Sequence, residues 1–170
     1  EWMKASAVFS ASGEDDEKGR WRIDKPVPDG WPVRLTGFGG DEPGHGSVTM
    51  QCRLQGLWHL GLFPEQHPHW QWMLSRIAAC KASRPGGEPP RVLNLFGYTG
   101  AASLLAAAAG AHVTHVDASK KSVAWGRDNQ AASGLGDKPI RWIVDDAAKF
   151  VARDVRRGKV YGVILVDPPK

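Results

Sequence analysis

Residues 92–105 read Val92-Leu93-Asn94-Leu95-Phe96-Gly97-Tyr98-Thr99-Gly100-Ala101-Ala102-Ser103-Leu104-Leu105. An apolar run stops at a glycine, turns through Tyr98-Thr99-Gly100 and opens into an alanine-rich segment. That is the pattern of a strand, a tight turn and a helix start. Such a turn points backbone N–H groups and the positive end of a helix into one cleft, a seat for an anionic or polar ligand. The turn alone does not separate a binding loop from an ordinary strand-to-helix connection. The residues after it do.

Downstream the periodicity alternates regularly. Arg91–Leu95 reads as a strand and Gly100–Ala109 as a helix, stopped by Gly110. His112–Val116 is a second strand. Ser119 caps a helix running to about Ser133 and ended by Gly134. Ile140–Val144 is a third strand, and a helix follows from about Ala147 to Arg156, capped by Asp145 or Asp146 and closed by Gly158. Val160–Val166 is nearly all apolar, as expected for the middle of a parallel sheet. This order predicts an α/β fold with an open, doubly wound, Rossmann-like parallel sheet whose ligands bind at the carboxyl ends of the strands.

Upstream the pattern is weaker. Residues 1–20 run through Ser10-Ala11-Ser12-Gly13-Glu14-Asp15-Asp16-Glu17-Lys18-Gly19, polar enough to read as a loop or disordered tongue. Trp21-Arg22-Ile23 and Trp31-Pro32-Val33-Arg34-Leu35 flank Pro26, Pro28, Asp29 and Gly30, which reads as a hairpin. Residues 37–46 are glycine-rich and read as a loop, and 47–54 as a strand. Residues 1–63 are thus expected to form a small β-rich extension, with the main domain over 64–170. Trp70, Met73, Leu74, Ile77, Ala78 and Lys81 fall at helical spacing after Pro68, and Arg84-Pro85-Gly86-Gly87 stops that helix. Its Trp and Met residues read as a core stripe.

The bulk numbers narrow the classes. The 170 residues suit one domain with a small appendage, and 42% hydrophobic residues suffice for a core. No run is long enough to span a membrane, and the start is not a signal peptide. The net charge of +4 tolerates a nucleic-acid partner without demanding one. Cys52 and Cys80 form no CxxC pair, so a disulfide framework or zinc knuckle is not expected, and a reducing cytoplasm is the natural compartment. His67-Pro68-His69 and the pair His112 and His115 fit zinc spacing poorly, so no metal is expected. The chain starts without Met and closes on Val166-Asp167-Pro168-Pro169-Lys170, a strand end where a parallel sheet is not expected to stop. It reads as a piece of a longer protein.

Four strand ends carry the chemistry. The first carries the turn. The second carries Asp117-Ala118, with the acid at nearly the spacing that lets a carboxylate accept both ribose hydroxyls of a nucleoside. The third carries Asp145-Asp146-Ala147, where a carboxylate can accept from an adenine amino group. The fourth carries Asp167-Pro168-Pro169. Singly each has a bland reading as a helix cap, a glycine turn or a strand breaker. In this order they point to a nucleoside ligand. Dinucleotide sites use G-x-G-x-x-G to bring backbone against a pyrophosphate. Here Phe96 and Tyr98 stand where small residues are needed, so a ligand without a diphosphate fits better. S-adenosylmethionine has a ribose, an adenine and an amino-acid tail in place of phosphates.

Leu93–Gly100, His115-Val116-Asp117-Ala118-Ser119, Asn129-Gln130-Ala131-Ala132-Ser133-Gly134-Leu135, Asp145-Asp146-Ala147 and Asp167-Pro168-Pro169-Lys170 resemble class I SAM-dependent methyltransferases. More narrowly they resemble the bacterial 23S ribosomal RNA methyltransferases that modify cytosine C5 or guanine, over roughly residues 58–170. The resemblance implies S-adenosyl-L-methionine as cofactor and an RNA substrate. It carries Asn94, Phe96, Gly97, Tyr98, Thr99 and Gly100 onto the cofactor loop, and Asp117 with Ala118 onto the ribose. Asp146, followed by Ala147, matches the adenine edge best, with Asp145 open. Asp167 and Pro168 match the loop beside the methyl group and target base. Leu62-Phe63-Pro64-Glu65-Gln66 resembles a segment that closes over the cofactor, with Phe63 and Glu65 or Gln66 toward it; a simple linker is the competing reading. Many such proteins carry an N-terminal RNA-binding domain of which residues 1–60 show no clear sign.

For an exocyclic amine target, Asp167 and the carbonyls near Pro168 can align the nitrogen lone pair. Cytosine C5 chemistry needs a cysteine to add to C6. Cys52 lies in the β-rich extension and Cys80 in the amphipathic helix, so neither sits at a strand end of the doubly wound sheet, and both read as buried small hydrophobes. Arg153, Arg156, Arg157 and Lys159 form a basic run that a helix C-terminus favours by itself. Competing functions are a catalytically inactive SAM- or nucleoside-binding module, a nucleotide-dependent oxidoreductase, and a methyltransferase acting on a protein or small molecule. Asp167-Pro168-Pro169 argues against the first and the absent glycine pattern against the second.

Overall fold

The computed structural model describes residues 4–12, 15–37, 47–55 and 59–169, with the side chains of 12–18 outside the description. The glycine-rich loop expected over 37–46 therefore lies, beyond Gly37, outside the described residues. The chain divides into two compact units, Glu1–Val33 with Gln51–Phe63, and Arg34–Met50 with Pro64–Lys170.

The first unit contains β1 (Ala7–Ser12) and β2 (Asp15–Ile23), an antiparallel pair. The polar stretch read as a loop is thus a two-stranded ribbon. Val8 and Phe9 are only half-buried and Ser10 is exposed, so no apolar alternation marks it. Its cohesion comes from backbone pairing, from the Phe9 and Trp21 rings packed edge-to-face at 5.3 Å, and from Gly19. A Cβ on Gly19 would lie 2.1 Å from the Ser10 carbonyl oxygen. The expected hairpin between residues 21–23 and 31–35 does not form. The N–H groups of Asp24 and Lys25 both donate to the Ser6 carbonyl, at 2.8 and 3.1 Å, which anchors the end of β2 to the start of β1. Instead β3 (Trp31–Leu35) pairs with β4 (Val48–Cys52). Cys52 is buried, which pushes its thiol pKa up, and Cys80 is half-buried; both are free.

The second unit carries the parallel sheet. One 3-10 turn (Pro64–Gln66) leads into α1 (His67–Ala82), with Pro68 in its first turn. The stripe expected to be core is buried through Trp70, Met73 and Ile77. There follow β5 (Arg91–Leu95), α2 (Ala101–Ala108), β6 (His112–Asp117), α3 (Lys120–Ala132), β7 (Ile140–Val144), α4 (Ala147–Arg156) and β8 (Val163–Val166). The strands lie parallel in the order β7-β6-β5-β8. Crossover helices cover both faces of such a sheet, which explains the burial of Val92–Leu95 in β5 and of Val113, His115 and Val116 in β6. Leu93, Leu95 and Val116 pack with Ala147 and Phe150 of α4. Strand alternation sends Asn94 and His115 to the other face, where α2 packs. Thr49 joins this unit through Ser133, whose hydroxyl accepts from the Thr49 N–H at 2.9 Å and donates to its carbonyl at 3.1 Å.

One expectation shifts. The last strand starts at Val163, not Val160, because Val160 is exposed and the Tyr161 hydroxyl donates to Asp154 at 2.5 Å. Among the described residues β8 pairs with β5, and Ile164 and Val166 are exposed. No helix among the described residues is long and apolar enough to cross a membrane.

Candidate active site

Parallel strands end on the same edge, so the order β7-β6-β5-β8 sets the Asp145-Asp146 pair, Asp117, the 96–100 turn and Asp167 side by side. The turn is conformationally costly. Phe96 and Tyr98, neither a glycine, have φ of 55° and 50°, and Gly100 has φ of 89°. Left-handed conformations of bulky residues cost on the order of 1–3 kcal/mol each and persist only where the surroundings over-determine them.

Asp117 supplies part of that constraint. Its Oδ2 accepts from the Tyr98 N–H at 2.9 Å and its Oδ1 from the Ser119 N–H at 2.8 Å. A carboxylate offers about four lone-pair positions, so two backbone donors leave capacity on both oxygens for further hydroxyl donors. The Gly97 N–H donates to Val116 O at 3.1 Å, and Gly100 N–H to Gly97 O at 3.0 Å. Gly100 is also the N-cap of α2, with no side-chain cap, so the first-turn N–H groups of that helix face the cleft without an intrahelical acceptor.

Beneath the turn lies a buried polar row. Across the register Asn94 lies beside His115, and His115 beside Trp142. Asn94 Nδ2 donates to Ser103 Oγ at 2.9 Å, and Ser103 Oγ lies 3.0 Å from His115 Nδ1. Asn129 Nδ2 donates to the Thr99 carbonyl at 2.9 Å, and Trp142 Nε1 donates to Gln130 Oε1 at 2.8 Å. The Trp142 ring sits between two glycines: a Cβ on Gly100 would approach it to 2.7 Å and one on Gly126 to 2.5 Å. His115 is fully buried, and burial pushes its pKa down to about 3, so the imidazole is neutral. Its Nε2 has no hydrogen-bond partner among the described residues.

The residues singled out in the sequence fall into distinct places. Phe96, Gly97, Tyr98, Thr99 and Gly100 form the turn itself, with Thr99 and Gly100 buried. Asn94 lies under the turn and is engaged with Ser103. Ala118 is exposed beside Asp117, while Ala147 is buried against the sheet. Asp146 caps α4, its Oδ1 accepting from the Lys149 N–H at 2.8 Å. Asp145 is turned away to an ion pair with Arg153, which holds its carboxyl below the usual range. Gln66 Nε2 donates to Asp167 Oδ2, which joins the 3-10 turn to the end of β8. Glu65 is exposed on that turn and Pro168 is exposed after Asp167. Phe63 belongs to the first unit, where its ring lies 5.3 Å from that of His59. The sequence reading missed Ser103, His115, Asn129 and Trp142 as supports. The available signals were polar residues interrupting apolar strands and a glycine inside α3.

The family model described as Conserved hypothetical protein 95 matches residues 76–169, more than half of the chain. The chain belongs to this family. Similarity to individual proteins agrees. The Ribosomal RNA large subunit methyltransferase K/L of Shewanella sp. (strain W3-18-1) is 44% identical over 123 residues, covering 72% of this chain and 16% of that protein. The protein of the same name from Shewanella baltica (strain OS155 / ATCC BAA-1091) is 45% identical over 80 residues, covering 46% of this chain and 11% of that protein. The crystal structure of the SAM-dependent methyltransferase from Agrobacterium tumefaciens superposes with a TM-score of 0.80 at 44% identity, over 99% of this chain and 48% of that one. The parallel sheet of this family member is therefore the Rossmann-like fold of class I methyltransferases, as expected from the motif order. The chain spans about half the length of that solved structure and a far smaller part of the ribosomal relatives.

Proposed function

We propose that the protein is an S-adenosylmethionine-dependent methyltransferase acting on a base of ribosomal RNA. The observation that carries this reading is Asp117. It ties the strained turn to the end of β6 while keeping carboxylate capacity toward the cleft.

The residues present fit the cofactor. The uncapped N-terminus of α2 suits the tail carboxylate. Phe96 and Tyr98 crowd out the close backbone approach that a pyrophosphate requires. Asp117 suits the two ribose hydroxyls, and Asp146 rather than Asp145 suits the adenine edge, because Arg153 occupies Asp145. Bound there, S-adenosylmethionine would supply an electrophilic methyl group for in-line transfer to a nucleophilic atom of the base, with S-adenosylhomocysteine as the leaving group. The chain's own residues orient the partners. Asp167, held by Gln66, accepts a hydrogen bond from an exocyclic amine of the base. Pro168 has no N–H to compete for that carboxylate. Positioning of this kind is the main contribution such a site makes to the rate. The ribosomal relatives support RNA as the substrate class and a cytoplasmic site of action.

Mass-spectrometric mapping of ribosomal RNA from cells lacking the protein tests the substrate. One modified base should lose its methyl group and regain it on complementation. An unchanged modification pattern would overturn the RNA assignment.

A further inference from the structure

A second cleft, of about 410 Å³, opens at the other edge of the sheet, where the strands begin. Arg91 opens β5, His112 opens β6, Arg141 is the second residue of β7, and Lys159 lies between α4 and β8; all four line it. Register puts Arg91 beside His112 and Thr114 beside Arg141. Asp154 is the one acid in the lining and its charge is already committed. It is 5% exposed, accepts the Tyr161 hydroxyl at 2.5 Å and lies 4.0 Å from Arg157 Nη1. Arg91, Arg141 and Lys159 form no ion pair with a carboxylate among the described residues.

Arg91, Arg141 and Lys159 are exposed, and three cations around one concave site concentrate positive potential there, which draws a ligand of negative charge. Arginine's planar fork matches phosphate in two parallel hydrogen bonds, and lysine adds a point charge. The cleft volume falls within the range of small-ligand sites. Strands of five residues, at about 3.3 Å each, set it roughly 17 Å from the edge that carries Asp117. An anion bound here is therefore remote from the methyl-transfer cleft.

We infer that the Arg91–Arg141–Lys159 cleft holds a phosphodiester of the RNA substrate, at a backbone position distant from the target base. This rests on the reading of the protein as an RNA methyltransferase. Phosphate contacts position a nucleic acid without reading its sequence. The cleft thus fixes how a long RNA lies on the domain.

The test uses the complete natural protein and a combined Arg91→Gln, Arg141→Gln, Lys159→Gln variant. A control, Arg76→Gln, Arg84→Gln, Arg127→Gln, removes the same charge from exposed positions elsewhere. Binding of a ribosomal RNA fragment is titrated against salt, and S-adenosylhomocysteine binding is measured by calorimetry. The cleft variant should bind S-adenosylhomocysteine unchanged and RNA at least tenfold more weakly. Its log–log salt slope should be shallower by about 1, since the single lost phosphate contact removes roughly 0.7–0.9. Equal effects in variant and control, or none in either, would overturn the inference. If the wild-type protein binds S-adenosylhomocysteine but no RNA, the underlying RNA reading falls and the inference with it. If inorganic phosphate raises the melting temperature of the wild type but not of the variant, while RNA binding is equal in both, the cleft is a free-anion site and the RNA assignment is wrong.

Discussion

Gly97 rests directly on the imidazole of His115. A Cβ built at Gly97 would lie 2.5 Å from His115 Cε1 and 2.6 Å from Nδ1. The ring cannot move aside, because it is fully buried and contacts the Trp142 ring at 4.4 Å between centroids. Gly97→Ala should therefore lower stability by about 1–3 kcal/mol, the usual cost of overpacking. It should also weaken S-adenosylhomocysteine binding, because the turn must lift. Thermal melts with and without ligand read both effects. A melting temperature within a degree of wild type would show that the turn is not clamped.

Gly126 sets two effects against each other. Alanine inside a helix is favoured over glycine by about 1 kcal/mol. Yet a Cβ there would meet Trp142 at 2.5 and 2.7 Å, and Trp142 is tied to Gln130. Overpacking wins, so Gly126→Ala should be net destabilising by chemical denaturation. A stabilised variant would mean that the indole has room to shift.

His115 makes stability depend on pH with a definite sign. Its folded pKa of about 3 lies below the unfolded value of 6.5, so the unfolded chain binds the extra proton. Its contribution is complete above pH 6.5 and is lost progressively as pH falls toward 3. Between pH 7.5 and 5 the wild type should lose about 2 kcal/mol more than a His115→Gln variant. Urea titrations at the two pH values measure this difference. Parallel losses in the two proteins would contradict the neutral, buried assignment.

Asp145 and Asp146 should separate cleanly. Asp146→Ala removes the α4 cap and should cost about 0.5–2 kcal/mol, together with cofactor affinity. Asp145→Asn breaks only a solvent-screened ion pair and should leave both stability and ligand affinity near wild type. Calorimetry on both variants decides which acid the ligand uses. A larger affinity loss in Asp145→Asn would reverse the assignment.

Much of the second unit was legible because its physics is local. Val92–Leu95 of β5 is buried on both faces and reads as a mostly apolar run, and Ser119 and Gly134 mark the ends of α3 by their own backbone chemistry. The acids at strand ends followed from topology alone. The β1–β2 ribbon was not legible, because its described side chains Val8, Phe9 and Trp21 are only half-buried and its pairing depends on Gly19 meeting Ser10 across the strands. The start of β8 was displaced because Val160 and Tyr161 are apolar by type, yet Tyr161 is engaged by Asp154. The Asn94–Ser103–His115 network was missed for a related reason. Each residue looks unremarkable in its own segment, and only the parallel register brings the three together.

The most direct measurement is calorimetric titration of the complete protein with S-adenosylhomocysteine, beside its Asp117→Ala variant. Saturable 1:1 binding by the wild type is expected, weakened at least tenfold by the substitution, with no competition from NADH. Tight NADH binding with no response to S-adenosylhomocysteine, or equal affinity in the variant, would contradict the assignment of the 96–100 turn and Asp117 as the cofactor site.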